Sequence, residues 1–177
     1  MPRIPYVPEN ISEPADVVDA IRKRRGGGLI NLDRELLHSP AIAGGWNVYM
    51  GAIRTKLIVS PQLREIAMCV VAILNGAEYE FHHHAPELIK EGGTAVQVAA
   101  LRDPSSALTS QGIFDEQGIA CIALTIEMTR DVKVSDATFA AMRKHLSDQT
   151  MVELITVIAA YNMVSRFLVA LDIQPET

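Results

Sequence analysis

Two stretches of this sequence are apolar on almost every side, and they restrict the possible fold more than any other feature. In residues 61–75 an apolar stripe recurs at helical spacing, and the opposite side is apolar too. Residues 148–171 are nearly as apolar, with Arg166 as the one charge after Glu153. Helices of this kind need cover on all sides, and one domain of 177 residues cannot cover two of them alone. The sequence therefore predicts a helical domain that associates with copies of itself.

Signals for helix starts and stops run along the rest of the chain, while aromatic residues make up only 5% of it. The first 13 residues contain three prolines and predict an extended arm. The predicted helices cover residues 14–25, 40–56, 61–75, 77–91, 95–102, 114–129, 135–146 and 148–171, with a short helical turn from Asp33 and a loop over 103–112. Ser39-Pro40 and Ser60-Pro61 are typical of an N-cap followed by proline. Because no linker separates these elements, we predict a single all-α domain.

Charge and composition exclude several classes of partner. The 16 Lys and Arg residues against 21 Asp and Glu residues leave a net charge of −5, which argues against nucleic acid or an anionic membrane as the main partner. The longest uninterrupted apolar run, Ile66 to Leu74, has nine residues, too few to span a membrane. Cys69 and Cys121 are too few for a disulfide framework and lie in apolar helices, so we interpret them as inert buried thiols. We expect a cytoplasmic protein.

Glu65, Glu80 and His84 are the residues whose positions best suit acid–base chemistry. Glu65 stands at the start of the apolar helix 61–75, either as a solvated first-turn carboxylate or as a buried functional acid. His84 falls in the apolar stripe of helix 77–91, and Glu80 lies one helical turn earlier, within side-chain reach. A carboxylate beside an imidazole holds it in one tautomer and tunes its pKa for proton transfer. The alternative is a core histidine satisfied by a neighbour.

Three further side chains are candidate substrate contacts. Tyr79 and His83 are predicted to point outward from helix 77–91, away from the stripe that contains His84. Arg166 is costly to bury without a partner, so it must reach the surface or meet a carboxylate of this chain, a neighbouring subunit or a substrate.

The run of three histidines, residues 82–84, also raises the question of a metal site. Adjacent residues of a helix are about 100° apart, so these side chains cannot converge on one ion. Glu80 and His84 could supply two ligands, which keeps a metal-binding protein open as an alternative.

A weak internal echo links residues 64–76 with residues 152–164, two apolar helices that each open beside a glutamate. Two related helical halves would explain the echo, and so would the shared requirements of any two buried helices.

The segment LREIAMCVVAILNGAEYEFHHHAPELIKEGG, residues 63–93, resembles the core of the carboxymuconolactone decarboxylase family, which includes the alkylhydroperoxidase D proteins. Residues 129–171 resemble the C-terminal segment and helix of its longer members, so the resemblance covers roughly residues 40–171. It implies an all-helical domain that assembles into trimers or hexamers. On this basis the chain divides into an N-terminal arm with the first helices, residues 1–39, and the main domain, residues 40–177, within one compact unit.

The resemblance also carries site residues. Peroxidase members use a CxxC motif, a His four residues after its second Cys, and an upstream Glu. Glu65 matches that Glu and His84 matches the His, whereas the two Cys positions fall on Ala77 and Glu80. Without a pair of thiols the sequence lacks both the peroxidatic and the resolving Cys.

What remains resembles the decarboxylase branch, which needs no metal and no organic cofactor. The implied substrate is a small carboxylated lactone or enol acid, and the implied reaction is decarboxylation by proton transfer, with His84, Glu80 and Glu65 as catalytic candidates. The alternatives are a thiol-dependent antioxidant protein, the metal-binding protein described above, and an assembly protein without catalysis.

Overall fold

In the computed structural model, which describes residues 1–176, those residues form helices and no strand. The helices are α1 (Ala15–Arg25), α2 (Asn31–Leu36), α3 (Pro40–Thr55), α4 (Pro61–Leu74), α5 (Glu78–Lys90), α6 (Ala95–Ala100), α7 (Pro104–Ala107), α8 (Glu116–Arg130), α9 (Asp136–Arg143) and α10 (Asp148–Leu171). The all-α prediction is confirmed, and every predicted helix has a counterpart.

The structure differs from the predicted elements at two kinds of position. The segment predicted as a loop contains the short helix α7, because Asp103-Pro104 starts a helix with the same kind of signal as Ser39-Pro40. Ser39 and Ser60 do occupy N-cap positions, but neither side chain accepts a hydrogen bond from its helix. Proline at the first helical position marks these two starts without help from the serine hydroxyl.

Contacts divide the chain into two units, and the first consists of Met1–Leu57 with the residues from Leu168 onward. Its N-terminal arm contains no helix before Ala15 and is held by arginine side chains. Arg22 donates to the backbone oxygens of Glu9 and Ile11, at 2.5 and 3.2 Å, and Arg34 donates to that of Val7 at 2.8 Å. Arg22 of α1 and Arg34 of α2 therefore fasten the arm to these two helices.

The second unit, Ile58–Phe167, is built around α4, which packs against α5 and α8. The predicted burial of α4 on nearly all sides is observed, since every residue from Glu65 to Ala72 is buried. Gly76 ends this helix with a φ of 65°, a left-handed conformation that favours glycine. The tight turn sends α5 back along α4.

Glu153 of α10 fastens the start of the second unit. One of its carboxylate oxygens accepts the backbone N–H groups of Ile58 and Val59, at 2.9 and 2.8 Å. Burial works to raise the pKa of Glu153, but these N–H groups and the Gln149 amide, which donates to the other oxygen, together hold it below its ordinary value. The two glutamates of the sequence echo thus have different partners, since Glu65 contacts a histidine.

By length and composition alone α10 could cross a membrane, although half of its most apolar stretch is buried within the structure, as in an ordinary core helix. The predicted division at residue 39 followed the extent of a resemblance rather than contacts, and it stays a prediction.

Candidate active site

The turn between α4 and α5 brings Glu65 and His84 together. Nδ1 of His84 lies 2.6 Å from a carboxylate oxygen of Glu65, and both residues are only 7% exposed. A carboxylate accepts hydrogen bonds, so Nδ1 carries the shared proton and Nε2 is the basic nitrogen of the neutral ring. The pair is a buried dyad of the kind that performs proton transfer.

The burial of Glu65 settles one alternative that the sequence left open. A solvated first-turn carboxylate would be exposed, but Glu65 is one residue beyond the first turn of α4 and faces α5. The reading of Glu65 as a buried acid is the correct one.

Tyr161 of α10 supplies a second contact to the imidazole. The rings of His84 and Tyr161 lie 4.9 Å apart between centroids and are nearly perpendicular, at 83°. An edge-to-face contact of this kind restricts rotation of the imidazole. The sequence analysis did not identify Tyr161 as a site residue, because nothing local indicates which side of α10 meets α5.

Glu80 lies in the same unit, but its observed surroundings differ from the predicted ones. The sequence suggested that Glu80 supports His84 from one turn away, yet the structure gives that contact to Glu65 on the facing helix. Glu80 is 2% exposed, and neither of its carboxyl oxygens has a hydrogen-bond partner among residues 1–176. Burial raises the pKa of Glu80 well above its ordinary value. Burial without a hydrogen-bond partner therefore favours the protonated form of Glu80.

Tyr79 and His83 are not the outward-facing pair that the helix phase predicted. Tyr79 is buried, at 6% exposure, and His83 is half-buried, with the two ring centroids 4.6 Å apart. Besides α4, α5 also contacts α6, so more than one side of α5 is covered. A role for either side chain in substrate binding stays a prediction.

Arg166 is exposed, which was one of the outcomes expected for it. Its guanidinium donates at 2.7 Å to the backbone oxygen and the side-chain oxygen of Asn162. Asn162 also binds Asn75 and Thr129, so Arg166 stands at the edge of a polar network joining α4, α8 and α10. No carboxylate of the described chain pairs with it.

A different arginine, Arg102, lies beside α5. It donates to Glu78 at 2.8 and 2.9 Å, and its guanidinium lies 3.8 Å from the centroid of the Phe81 ring. The sequence analysis missed Arg102 because it follows α6, and only packing places that turn against α5.

The two cysteines are buried and unpaired with each other. Burial is the main cause that raises the pKa of Cys69. The charges of Glu65 and Glu80 also raise this pKa, whereas the positive charge of Arg102 lowers it. Burial also raises the pKa of Cys121 to about 12. Thiols in such surroundings stay protonated and are poor nucleophiles.

Metal-ligating side chains do not gather into a site of the usual size. Within residues 1–176 no group of three or more His, Cys, Asp or Glu side chains is placed to hold a metal ion. His82 is exposed, and His84 is engaged by Glu65.

Several solved structures have a fold similar to that of this chain. No protein-family model matches the sequence, and no curated protein does. The structure resembles that of an uncharacterised peroxidase-related protein from Ralstonia eutropha JMP134, described as an alkylhydroperoxidase AhpD core, with a TM-score of 0.83 and 19% identity over 99% of this chain and 92% of that one. A peroxidase-related protein from Silicibacter sp. TM1040 gives a TM-score of 0.80 at 15% identity, with the same coverage of both chains.

A third similar structure is that of the debrominase Bmp8, solved as a cysteine-to-alanine variant with 2,3,4-tribromopyrrole. Its TM-score is 0.79 at 16% identity, over 97% of this chain and 90% of that one. The chain thus has the fold of the alkylhydroperoxidase D-type proteins, as the sequence resemblance implied. Within that fold its described residues combine a buried Glu–His dyad, a buried glutamate without a hydrogen-bond partner and two buried thiols.

Proposed function

We propose that this protein is a thiol-independent acid–base enzyme, a carboxy-lyase that acts on a small carboxylated lactone or enol acid. The observation that carries the proposal is the 2.6 Å contact between Glu65 and His84 inside the second unit. A histidine held in this way has a defined tautomer, and a base that is already oriented does not lose rate to reorientation.

The chemistry asks little beyond proton transfer. Loss of carbon dioxide from an unsaturated lactone acid leaves a dienolate, because the ring carbonyl accepts the electron pair. His84 takes up a proton from water at Nε2, and Glu65 stabilises the imidazolium that forms. The imidazolium then gives this proton to the dienolate carbon and returns to the neutral ring. Glu80 is the third group of the site, and Tyr79, His83 and Arg166 are its proposed substrate contacts. No cofactor is required by this scheme.

A thiol peroxidase is the function that the fold neighbours suggest most directly, since two of them are described as peroxidase-related. The residues of this chain argue against it. A peroxidatic cysteine needs a thiolate, and the pKa values of Cys69 and Cys121 are both raised by burial. The positions where peroxidase members carry CxxC hold Ala77 and Glu80.

The test is a panel of unsaturated lactone acids and enol acids, each followed for carbon dioxide release. We expect turnover of at least one member by the wild-type protein, without added metal or thiol, and loss of that turnover in His84→Ala. His82→Ala is the matched control, because it removes an exposed imidazole of the same helix and leaves the dyad. Release from no member of the panel, or an activity that depends on a thiol reductant and a hydroperoxide, would overturn the proposal.

A further inference from the structure

Glu80 has a combination of features that the acid–base dyad does not explain. It is 2% exposed, it lies four residues before His84 on α5, and its oxygens contact no donor of the described chain. An ionised carboxylate without hydrogen bonds is among the most costly groups to bury in a protein. An apolar residue at position 80 would not have this cost, so the presence of a buried glutamate there needs an explanation.

Burial by itself raises the pKa of Glu80. Cys69 of α4 lies within electrostatic reach of both Glu80 and Glu65. Of these two carboxyl groups, Glu65 has a histidine partner, whereas neither oxygen of Glu80 has a hydrogen-bond partner in the described chain. The Arg102 guanidinium also acts on Cys69, but Glu78 and the Phe81 ring already engage it. Burial and the lack of a partner therefore both favour a protonated Glu80.

We propose that Glu80 is a neutral carboxylic acid and that its O–H donates a hydrogen bond to an acceptor oxygen of the ligand, a lactone carbonyl or the corresponding enolate. This inference rests on the proposed function for the identity of the ligand. A protonated Glu80 has an O–H donor, and no acceptor of the described chain forms a hydrogen bond with it. A ligand oxygen meets that need, and the hydrogen bond becomes stronger as negative charge develops on the oxygen.

With Glu80 protonated, the three groups have different roles. His84 and Glu65 form the ionisable pair that moves protons, whereas Glu80 keeps its proton and binds the oxygen where charge develops. The ligand class follows as well, because the O–H group of a protonated carboxyl needs an acceptor oxygen, which a cation does not offer.

Infrared difference spectroscopy tests the protonation state directly. The carbonyl stretch of a protonated carboxyl group is expected in the wild-type protein at pH 7 and is lost in Glu80→Gln and Glu80→Leu. Glu78→Gln is the matched control, since Glu78 is exposed on the same helix and its loss leaves the band. Glu35 is also buried, and burial raises its pKa despite the charge of His38, so the band is assigned by variants.

The ligand part of the test uses but-2-en-4-olide, the unsubstituted unsaturated lactone. Its addition is expected to shift the Glu80 band, and Glu80→Leu is expected to bind it about two- to tenfold more weakly, the effect of one lost hydrogen bond. Thermal unfolding checks that Glu80→Leu folds, and we expect a midpoint at or above that of the wild type, because a buried polar group without a partner is removed.

Two results would overturn the inference: absence of a Glu80 band at neutral pH, or a band that the butenolide leaves unchanged up to its solubility limit. Neither measurement needs turnover. A responding Glu80 band with no decarboxylation anywhere in the panel would therefore reject the proposed function and keep this inference.

Discussion

His84 and His83 are neighbours in the chain, yet their surroundings differ in the way that matters for catalysis. His84 is oriented by Glu65 at one nitrogen and by the edge contact with Tyr161, while His83 is half-buried against Tyr79. An imidazole that is oriented by a carboxylate is ready for proton transfer before substrate arrives.

The first prediction concerns this pair of histidines. On a substrate found with the lactone panel, His84→Ala is expected to lower kcat/KM by about 10²–10⁴-fold, the usual effect of removing one general acid or base. Glu65→Gln is expected to lower kcat in the same direction, because the amide no longer stabilises the imidazolium. Steady-state kinetics measure both, with circular dichroism as the control for folding. A larger loss in His83→Ala than in His84→Ala would refute the assignment of the base.

The second prediction concerns the thiols. Because burial raises the pKa of both Cys69 and Cys121, the thiolate is scarce below about pH 12, the value for Cys121. We expect neither thiol of the native protein to react with dithiobis-nitrobenzoate at pH 8, and both to react after unfolding in urea. The double change of Cys69 and Cys121 to Ala is expected to keep most of the turnover. Loss of activity in the folded double variant would favour the thiol mechanism.

At the scale of elements, the second unit is held by contacts between segments that are distant in sequence. Gly76 turns α5 onto α4 and so determines that Glu65 meets His84. Glu153 holds the residues before α4 in place, because its carboxylate accepts hydrogen bonds from the backbone N–H groups of Ile58 and Val59. Charge-assisted bonds to backbone N–H groups are stronger than neutral ones.

The third prediction follows from Glu153. Its pKa is lower in the folded protein than its ordinary value of 4.5, so the ionised form stabilises the fold at neutral pH, and this stabilisation is lost as the pH falls through the folded value. Glu153→Gln is expected to reduce the free energy of unfolding by about 1 kcal/mol at pH 7. Urea unfolding at pH 7 and at progressively lower pH measures the difference between wild type and variant.

That difference is expected to shrink once the pH is well below 4.5. Glu116→Gln, a change in the exposed first turn of α8, is the control and is expected to have little effect at any pH. If the difference in free energy of unfolding between the wild type and Glu153→Gln does not change with pH, the carboxylate charge does not contribute to these contacts.

For the whole molecule, the exposed apolar side chains bear on whether copies of the chain associate. The chain covers most of α4 by itself, so the expectation that two helices need outside cover now applies to α10. Large hydrophobic residues are exposed on α10, namely Val152, Met163 and Val169, and on α3, namely Ile42, Val48 and Tyr49. Exposed apolar helix faces are typical of surfaces that bind another protein.

The fourth prediction is that the protein is a homo-oligomer, a trimer or a hexamer. Light scattering should give a mass of three or six times 19.3 kDa at micromolar concentration. Val48→Asp on α3 and Val152→Asp on α10 are expected to weaken the assembly if their faces lie in the interface, because a buried unpaired charge is costly. Val132→Asp, at an exposed position outside both helices, is the control. A stable monomer of the wild type would contradict the prediction.

Much of the architecture is local, and the sequence by itself determined it. Prolines, glycines and the apolar period are properties of short stretches, and so the helices of the described chain lie where they were expected, apart from α7. The resemblance over residues 63–93 also selected Glu65 and His84, because both stand at fixed places in one motif.

Only the tertiary structure decided how those residues are used. On helix 77–91 alone, Glu80 is the carboxylate nearest to His84, and nothing local shows that α4 brings Glu65 to Nδ1 instead. The same packing covers Tyr79, places Tyr161 against the imidazole and leaves Glu80 without a donor. Helical periodicity reports which side of one helix is apolar, but which polar groups meet across two buried helices depends on their relative position, and that is a property of the folded core.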